Sequence, residues 1–263
     1  MPPTDIVVIR GGGDIATGVA QKFHRSGIKV LLLETEKPSA IRRSVALCEA
    51  VYEGHAKVED VLCLLIASHS ELKGCYEQGA VPIMTDPDGE SILMLRPAAV
   101  VDAILAKRNL GTHRGMAPVT IGLGPGFCAG EDVHAVIETM RGHDLGRLIF
   151  RGGAQPNTGV PGEVNGIGSE RVIFAPAAGE IRHIRAIGDV IEAGEAICEI
   201  AGLKVTAPFK GLVRGLLREG LQVSNGMKIA DIDPRLDVDW RTISDKARCI
   251  GGAALEAFLY LSN

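Results

Sequence analysis

Short, continuously apolar runs recur through the first 151 residues: DIVVIR (5–10), IKVLLLE (28–34), VLCLLI (61–66), VPIMT (81–85), AAVVDA (98–103), PVTIG (118–122) and RLIFR (147–151). Runs of this length without polar alternation are what strands covered on both faces look like. Between them, apolar residues at helical spacing predict helices over 14–26, 39–50, 68–79 and 130–142. The third opens with Ser68-His69-Ser70-Glu71, the pattern of a capping box. Alternation of this kind predicts an α/β fold with a Rossmann-like, doubly wound parallel sheet over residues 1–168.

From residue 171 the texture changes. Residues 175–200 align without gaps on 207–232: Ala175-Pro176 falls on Ala207-Pro208, Gly179 on Gly211, Arg182 on Arg214, Gly188 on Gly220, Gly194 on Gly226, Ile197 on Ile229 and Ile200 on Ile232. Two halves too small to bury their own apolar faces can pair into one small barrel. Residues 171–235 therefore predict an all-β domain of the barrel-sandwich-hybrid type, similar to biotinyl and lipoyl domains. Those carriers hold their modified lysine at the hairpin tip; here Ala201-Gly202 occupies the tip and Lys204 lies close to Pro208, so neither biotin nor lipoate is expected. The polar stretch Asp231 to Asp239 reads as a return linker. Residues 240–263 predict a helix capped by Ser244 that packs on the larger domain through Ala247, Gly251, Gly252 and Ala254.

The bulk composition, 46% hydrophobic and 23% charged with 4% aromatic residues, is that of an ordinary globular chain with an aliphatic core. A formal net charge of −4 without any basic run supplies no attraction for nucleic acid or anionic membrane. A strand beginning within five residues of Met1 leaves no room for a signal sequence, and no apolar run approaches membrane-spanning length, so a cytoplasmic location is expected. Six scattered cysteines with no CxxC pair read as reduced thiols, and seven histidines show no metal-ligand spacing, so no metal site is read.

After the first strand, Gly11, Gly12, Gly13, Asp14 and Ala16 stand in a GxGxxG/A frame. The first glycine of such a frame permits the turn, the second admits a diphosphate to the backbone, and the small third residue lets the helix pack on the strand. Glu34 closes the second strand, where a carboxylate can accept from a ribose, and Arg42 and Arg43 follow closely enough to meet a further phosphate. Asp14 argues the other way, since an acid in the first helical turn repels a phosphate. A turn that binds nothing is the competing reading. A second loop, IGLGPGFCAGEDVHAVIE (121–138), offers Gly122, Gly124 and Gly126 as further contacts for an anion or pterin, and Cys128 as a loop thiol. Asp102, Lys107 and His134 are the candidate proton donors, and QPNTGVPG (155–162), with Asn157 and Thr158, is a further polar cluster. No GxSxG elbow or Walker A lysine is present, which disfavours hydrolase and P-loop chemistry.

The segments RGGGDIATGVA (10–20), KPSAIRRSVALCEAVYEG (37–54), VVDAILAKRNLGT (100–112), IGLGPGFCAGEDVHAVIET (121–139), PNTGVPG (156–162), FAPAAGEI (174–181), APFKGLVRGLLREG (207–220) and TISDKA (242–247) together resemble the YqeB-type family of selenium-dependent molybdenum hydroxylase system (maturation) proteins. The resemblance runs nearly end to end. It implies an accessory role in which a molybdenum hydroxylase client, of the xanthine dehydrogenase-like kind, acquires its mature cofactor. It implies no particular reaction and no catalytic residues. Combined with the glycine frame, it leads to an expected small-molecule partner that is either NAD(P) or a molybdopterin dinucleotide, with homo-oligomerisation left open. An NAD(P)-dependent oxidoreductase acting on a small molecule and a non-catalytic scaffold remain the alternatives.

Overall fold

The computed structural model describes residues 4–159 and 163–263. They divide into two compact units. One holds the described residues up to Pro38, then Ala46–Asn157 and Ile243–Asn263; the other holds Ser39–Val45 and the described residues of Thr158–Thr242.

The first unit is built on nine strands: β1 (Ile6–Arg10), β2 (Lys29–Glu34), β3 (His55–Val58), β4 (Val61–Leu65), β5 (Val81–Thr85), β6 (Ala99–Asp102), β7 (Val119–Leu123), β8 (Ala135–Ile137) and β9 (Leu148–Ile149). Their order is β3-β4-β5-β2-β1-β6-β7-β8-β9. Neighbours from β4 to β8 run parallel, while β3 pairs antiparallel with β4, and β9 with β8. The continuously apolar runs IVVIR and VTIGL are buried throughout, as strands covered on both faces must be.

Helix α1 (Asp14–Arg25) buries Ile15, Ala16, Val19, Ala20 and Phe23 at helical spacing. The chain's last helix packs along it. Short helices α2 (Ala50–Glu53), α3 (Leu72–Glu77) and α4 (Glu90–Leu95) lie in the β2–β3, β4–β5 and β5–β6 connections, and α5 (Asp245–Ser262) closes the chain. Close approach of α1 and α5 needs glycine: a Cβ on Gly18 would lie 2.7 Å from the carbonyl carbon of Ala247, and one on Gly251 would lie 2.7 Å from that of Gly18. Farther along, Phe23 and Phe258 meet with ring centroids 5.6 Å apart.

The second unit contains β10 (Val172–Phe174), β11 (Gly179–His183), β12 (Val190–Ile191), β13 (Ala196–Ile200), β14 (Leu203–Thr206), β15 (Gly211–Leu216), β16 (Gln222–Val223) and β17 (Lys228–Asp233). They form two antiparallel four-stranded sheets, β10-β17-β15-β12 and β14-β13-β11-β16. The sequence offset that carries Gly179 onto Gly211 also carries β12 onto β16 and the start of β13 onto that of β17. Each sheet takes one short strand from the other half: β12 pairs with β15, and β16 with β11. Ile181, Ile191, Ile197, Ile200, Val213, Leu216, Ile229 and Ile232 fill the interior. Asp231 and Asp233 are also buried, with Arg214 within 3.0 Å of both carboxylates.

These arrangements correct the predicted fold class. A Rossmann-like doubly wound parallel sheet joined to a barrel-sandwich-hybrid domain is not what forms; the structure has a mixed nine-stranded sheet and two distinct antiparallel sheets. Double winding requires helices in successive crossovers, yet β6 reaches β7, and β7 reaches β8, without an α-helix. The helix predicted over 130–142 is absent. Gly130 and Gly142 both take left-handed conformations (φ +94° and +129°), and the apolar residues between them form β8. The helix predicted over 39–50 is likewise replaced by 3-10 turns at Arg43–Val45 and Leu47–Glu49, followed by α2. In the segment 68–79, the Ser68–Glu71 capping box opens a 3-10 turn that leads into α3.

Candidate functional site

The glycine loop lies at the carboxyl edge of the parallel strands, between β1 and α1. Gly11 adopts φ +97°, a conformation that only glycine takes easily, and a Cβ there would sit 3.0 Å from the Ala103 carbonyl oxygen. Gly12 donates its N–H to Glu34 Oε2 (2.8 Å) and accepts from the N–H of Cys48 (2.8 Å). A Cβ on Gly12 would lie 3.0 Å from that of Cys48, so this position is closed by the chain itself. Gly13 differs: nothing lies within 4 Å of where its Cβ would be. It is the N-cap of α1, has extended backbone and has no side-chain cap. Free N–H groups at the amino end of a helix, reached through open space, can receive an anion. Ala16 is fully buried.

Glu34 reaches this loop. Its second oxygen accepts the N–H of Thr35 (2.8 Å), so both carboxylate oxygens are held by backbone donors. Cys48, almost fully buried beside Gly12, has its thiol pushed up by burial and by the Glu34 carboxylate, and stays protonated. Arg42 and Arg43 belong to the second unit. There Arg43 Nε donates to the Leu216 carbonyl (2.8 Å) and an Arg42 Nη to that of Thr242 (3.3 Å).

Asp102 ends β6, opposite Arg10 at the end of β1. Both are buried, and Thr112 links them: Arg10 Nη1 donates to Thr112 Oγ1 (2.6 Å), which donates to Asp102 Oδ2 (2.6 Å). Asp102 Oδ1 accepts the N–H of Ile104 (3.1 Å). This closed network ties the loop after β6 to the floor of the glycine loop; it presents no carboxylate to solvent. Lys107 lies exposed on the same loop, in a left-handed conformation with φ +62°.

The second glycine loop is filled by its own chain. A Cβ on Gly122 would meet the Phe127 ring at 2.5 Å, on Gly124 the Thr139 hydroxyl at 2.5 Å, and on Gly126 the Arg108 backbone at 2.7 Å. Cys128 is half-buried, and partial burial with the Glu131 and Asp132 carboxylates raises its thiol pKa, which opposes a thiolate. His134 precedes β8 and bonds through Nδ1 to the N–H of Thr120 (3.0 Å) and to its hydroxyl (2.8 Å). That is the amino edge of the sheet, opposite the Gly13 loop. Burial, with Arg114 nearby, lowers the His134 pKa and favours the neutral ring. In the QPNTGVPG cluster, Gln155 donates its N–H to Glu138 Oε2 (2.8 Å), Asn157 is exposed, and Val160, Pro161 and Gly162 lie outside the described residues.

One charged group near the loop escaped the sequence reading. Lys246, the second residue of α5, is half-buried and close enough to Asp14 and Glu138 to feel both carboxylates. Glu138 is itself buried at the end of β8, its oxygens accepting the N–H groups of Met140 (2.7 Å) and Gln155. Burial and the nearby Arg141 guanidinium hold the Lys246 ammonium below the usual lysine range, against the pull of Asp14, Glu138 and Asp245. Arg141 is engaged with Asp245, at 2.7 and 2.9 Å. Among the described residues no three histidine, cysteine, aspartate or glutamate side chains gather as metal ligands, and no helix is long and apolar enough to cross a membrane.

No protein-family model matches the chain. It is 52% identical over 257 residues to the uncharacterized protein YqeB of Escherichia coli strain K12, a match that covers 97% of this chain and 48% of YqeB. The chain thus spans about half the length of the curated relative it matches. Among solved structures it is similar to the product-bound ectoine utilization protein EutE (DoeB) from Ruegeria pomeroyi, with 12% identity, 87% of this chain and 58% of that one covered, and a TM-score of 0.24. It is also similar to an aspartoacylase family protein from Mesorhizobium loti, with 11% identity, 89% and 86% covered, and a TM-score of 0.28. A succinylglutamate desuccinylase from a Silicibacter species gives 11%, 88% and 85%, and 0.27. Likenesses at these scores carry no argument about the fold or activity of this chain. Over nearly all of its own length, the chain is similar to YqeB.

Proposed function

We propose that this protein is an accessory factor in the maturation of molybdenum hydroxylases, selenium-dependent ones among them, and that it takes a dinucleotide-type ligand at the loop Gly11–Gly13. The accessory role rests on the resemblance carried by RGGGDIATGVA and the seven other segments. The ligand class rests on one observation: Gly13 opens onto free space at the uncapped amino end of α1. A diphosphate approaching there meets N–H donors and the positive end of the helix dipole. NAD(P) and a molybdopterin dinucleotide present the same diphosphate, so this support extends to both.

A second reading, a structural turn without ligand, is favoured by Glu34, which already takes the N–H of Gly12. The oxidoreductase alternative is weakened, because Asp102 is tied into a buried network and His134 lies at the opposite edge of the sheet. Calorimetric titration with NAD⁺, NADP⁺ and molybdopterin cytosine dinucleotide separates these readings, with Gly13→Val as the blocked control. Binding of the pterin dinucleotide that the control loses supports a cofactor handler; binding of NAD(P) alone moves the assignment to an oxidoreductase. No binding by any of the three leaves the turn as structure. Gene removal tests the accessory role separately: a molybdenum hydroxylase client that keeps full activity without this protein overturns it.

A further inference from the structure

We infer that this protein pairs with a second copy of itself, about a two-fold axis, through the apolar patch that Phe150, Leu259 and Tyr260 form where the chain leaving β9 meets the end of α5. Strand β9 is the outermost of its sheet. The Phe150 and Tyr260 rings meet with centroids 5.1 Å apart, yet the two residues are 39% and 68% exposed, and Leu259 next to Tyr260 is 51% exposed. An aromatic side chain covers about 150–250 Å² when buried, so these two leave about 200 Å² in water before Leu259 is added. Contiguous apolar patches of a few hundred Å² mark surfaces that meet another protein, and aromatic residues with arginine are the side chains enriched there.

The charges around the patch single out a second copy as the occupant. The segment around β9 and helix α5 advance in the same direction. Near its start, a Cβ on Gly146 would lie 2.7 Å from the Cys249 sulfur and 3.7 Å from the Ala253 Cβ; farther on, Phe150 meets Tyr260. Along that direction Glu256 comes one helical turn before Tyr260, on the same side of α5, and Arg151 comes directly after Phe150. Both are exposed, and among the described residues neither side chain forms a hydrogen bond or an ion pair. Arg147, at the start of the segment, is held by Asp144 at 2.8 Å. The patch is thus acidic at one end, basic at the other and apolar between. A two-fold axis through the aromatic pair reverses the direction, so it brings Arg151 of each copy to Glu256 of the other and covers one apolar centre with its equivalent. A different protein would have to reproduce this order of charges in reverse; a second copy does so by symmetry.

The test is sedimentation velocity of the full chain from about 1 to 200 µM, the range in which a modest interface associates. Wild type is compared with Tyr260→Asp, Arg151→Glu, Glu256→Arg and the double variant that carries both charge reversals. The expected result is a wild-type dimer, at least tenfold weaker association in Tyr260→Asp, severalfold weaker association in each single reversal, and recovery of wild-type affinity in the double variant. A wild type that stays monomeric throughout overturns the inference and leaves the patch to a different protein. A dimer that Tyr260→Asp leaves intact forms elsewhere on the chain, which overturns it as well. A double variant as weak as the single reversals overturns the reciprocal pairing of Arg151 with Glu256 and the two-fold placement built on it. Should Tyr260→Asp fail to fold, the charge reversals, both at exposed positions, decide the matter alone.

Discussion

Replacing Thr112 with valine keeps the shape of a side chain that is 1% exposed and removes only its hydroxyl. That hydroxyl accepts from Arg10 Nη1 and donates to Asp102 Oδ2, each at 2.6 Å, and bonds to charged partners contribute about 1.5–3 kcal/mol apiece. The full sum overstates the loss. Arg10 keeps the Pro87 carbonyl at 3.3 Å, Asp102 keeps the N–H of Ile104, and the two charged groups are already 3.7 Å apart and free to close on each other. A destabilisation of about 2–4 kcal/mol follows, and for a unit of this size each kcal/mol lowers Tm by about 2–4 °C. Differential scanning calorimetry of Thr112→Val should therefore show the melting of the first unit fall by roughly 5–15 °C. Asp102→Asn should fall further, because breaking a buried ion pair costs about 3–5 kcal/mol. If Thr112→Val melts within about 1 °C of wild type, the network is not what anchors the loop after β6, and Asp102 returns as a candidate for chemistry.

Gly12→Val should lower the urea midpoint by the equivalent of about 1–3 kcal/mol, since its Cβ meets Cys48 and Ile83, whereas Gly13→Val should lower it by less, about 1 kcal/mol or under, for the poorer N-cap residue; equal midpoints would contradict the difference in space at the two positions. With a thiol-specific disulfide reagent at neutral pH, Cys249 should react first and Cys128 more slowly, while Cys48, Cys63, Cys75 and Cys198 should wait for denaturant, burial having raised Cys75 and Cys198 to about 11. Rapid modification of four or more thiols in the native protein would refute that order. The hydrogen bond from Arg25 lowers Asp60 to about 2, so its contribution is fully present above the ordinary aspartate range and disappears as pH falls through about 2. Asp60 is half exposed, so solvent screening limits the effect to about 1 kcal/mol or less; the melting difference between wild type and Asp60→Asn should be seen at pH 7 and be mostly lost by about pH 2.

The interior strands of the first unit were legible because a strand covered on both faces must be apolar at every position, as IVVIR and VTIGL are. The edge strand β3 and the short strand β8 were not, although RLIFR does mark the edge strand β9. In β3, His55 and Lys57 point to solvent, and four residues of alternating character resemble a loop. In β8 the apolar run is so short that helix and strand share its pattern, and the left-handed glycines 130 and 142 on either side were the signal against a helix. At the candidate site, Gly11, Gly12, Gly13 and Glu34 come together because one βαβ connection holds them all, within reach of local reasoning. Asp102 misled, because an acid at a strand end looks available until the register places Arg10 opposite it. Lys246 was hidden by distance along the chain. Only the small residues Gly18 and Gly251 marked the helix contact that brings it to the loop.

The exchange of short strands in the second unit bears on how such a chain came to exist. Neither half of the repeat completes a sheet by itself, since the edge of β15 is closed by β12 from the first half, and the edge of β11 by β16 from the second. A free half would carry the same open edge and the same unplaced strand, and two copies would satisfy both by trading strands across a two-fold axis. The unit is, in effect, a strand-swapped homodimer written in tandem on one polypeptide. Its two halves are bound to fold together, because each supplies the strand on which the other's sheet depends.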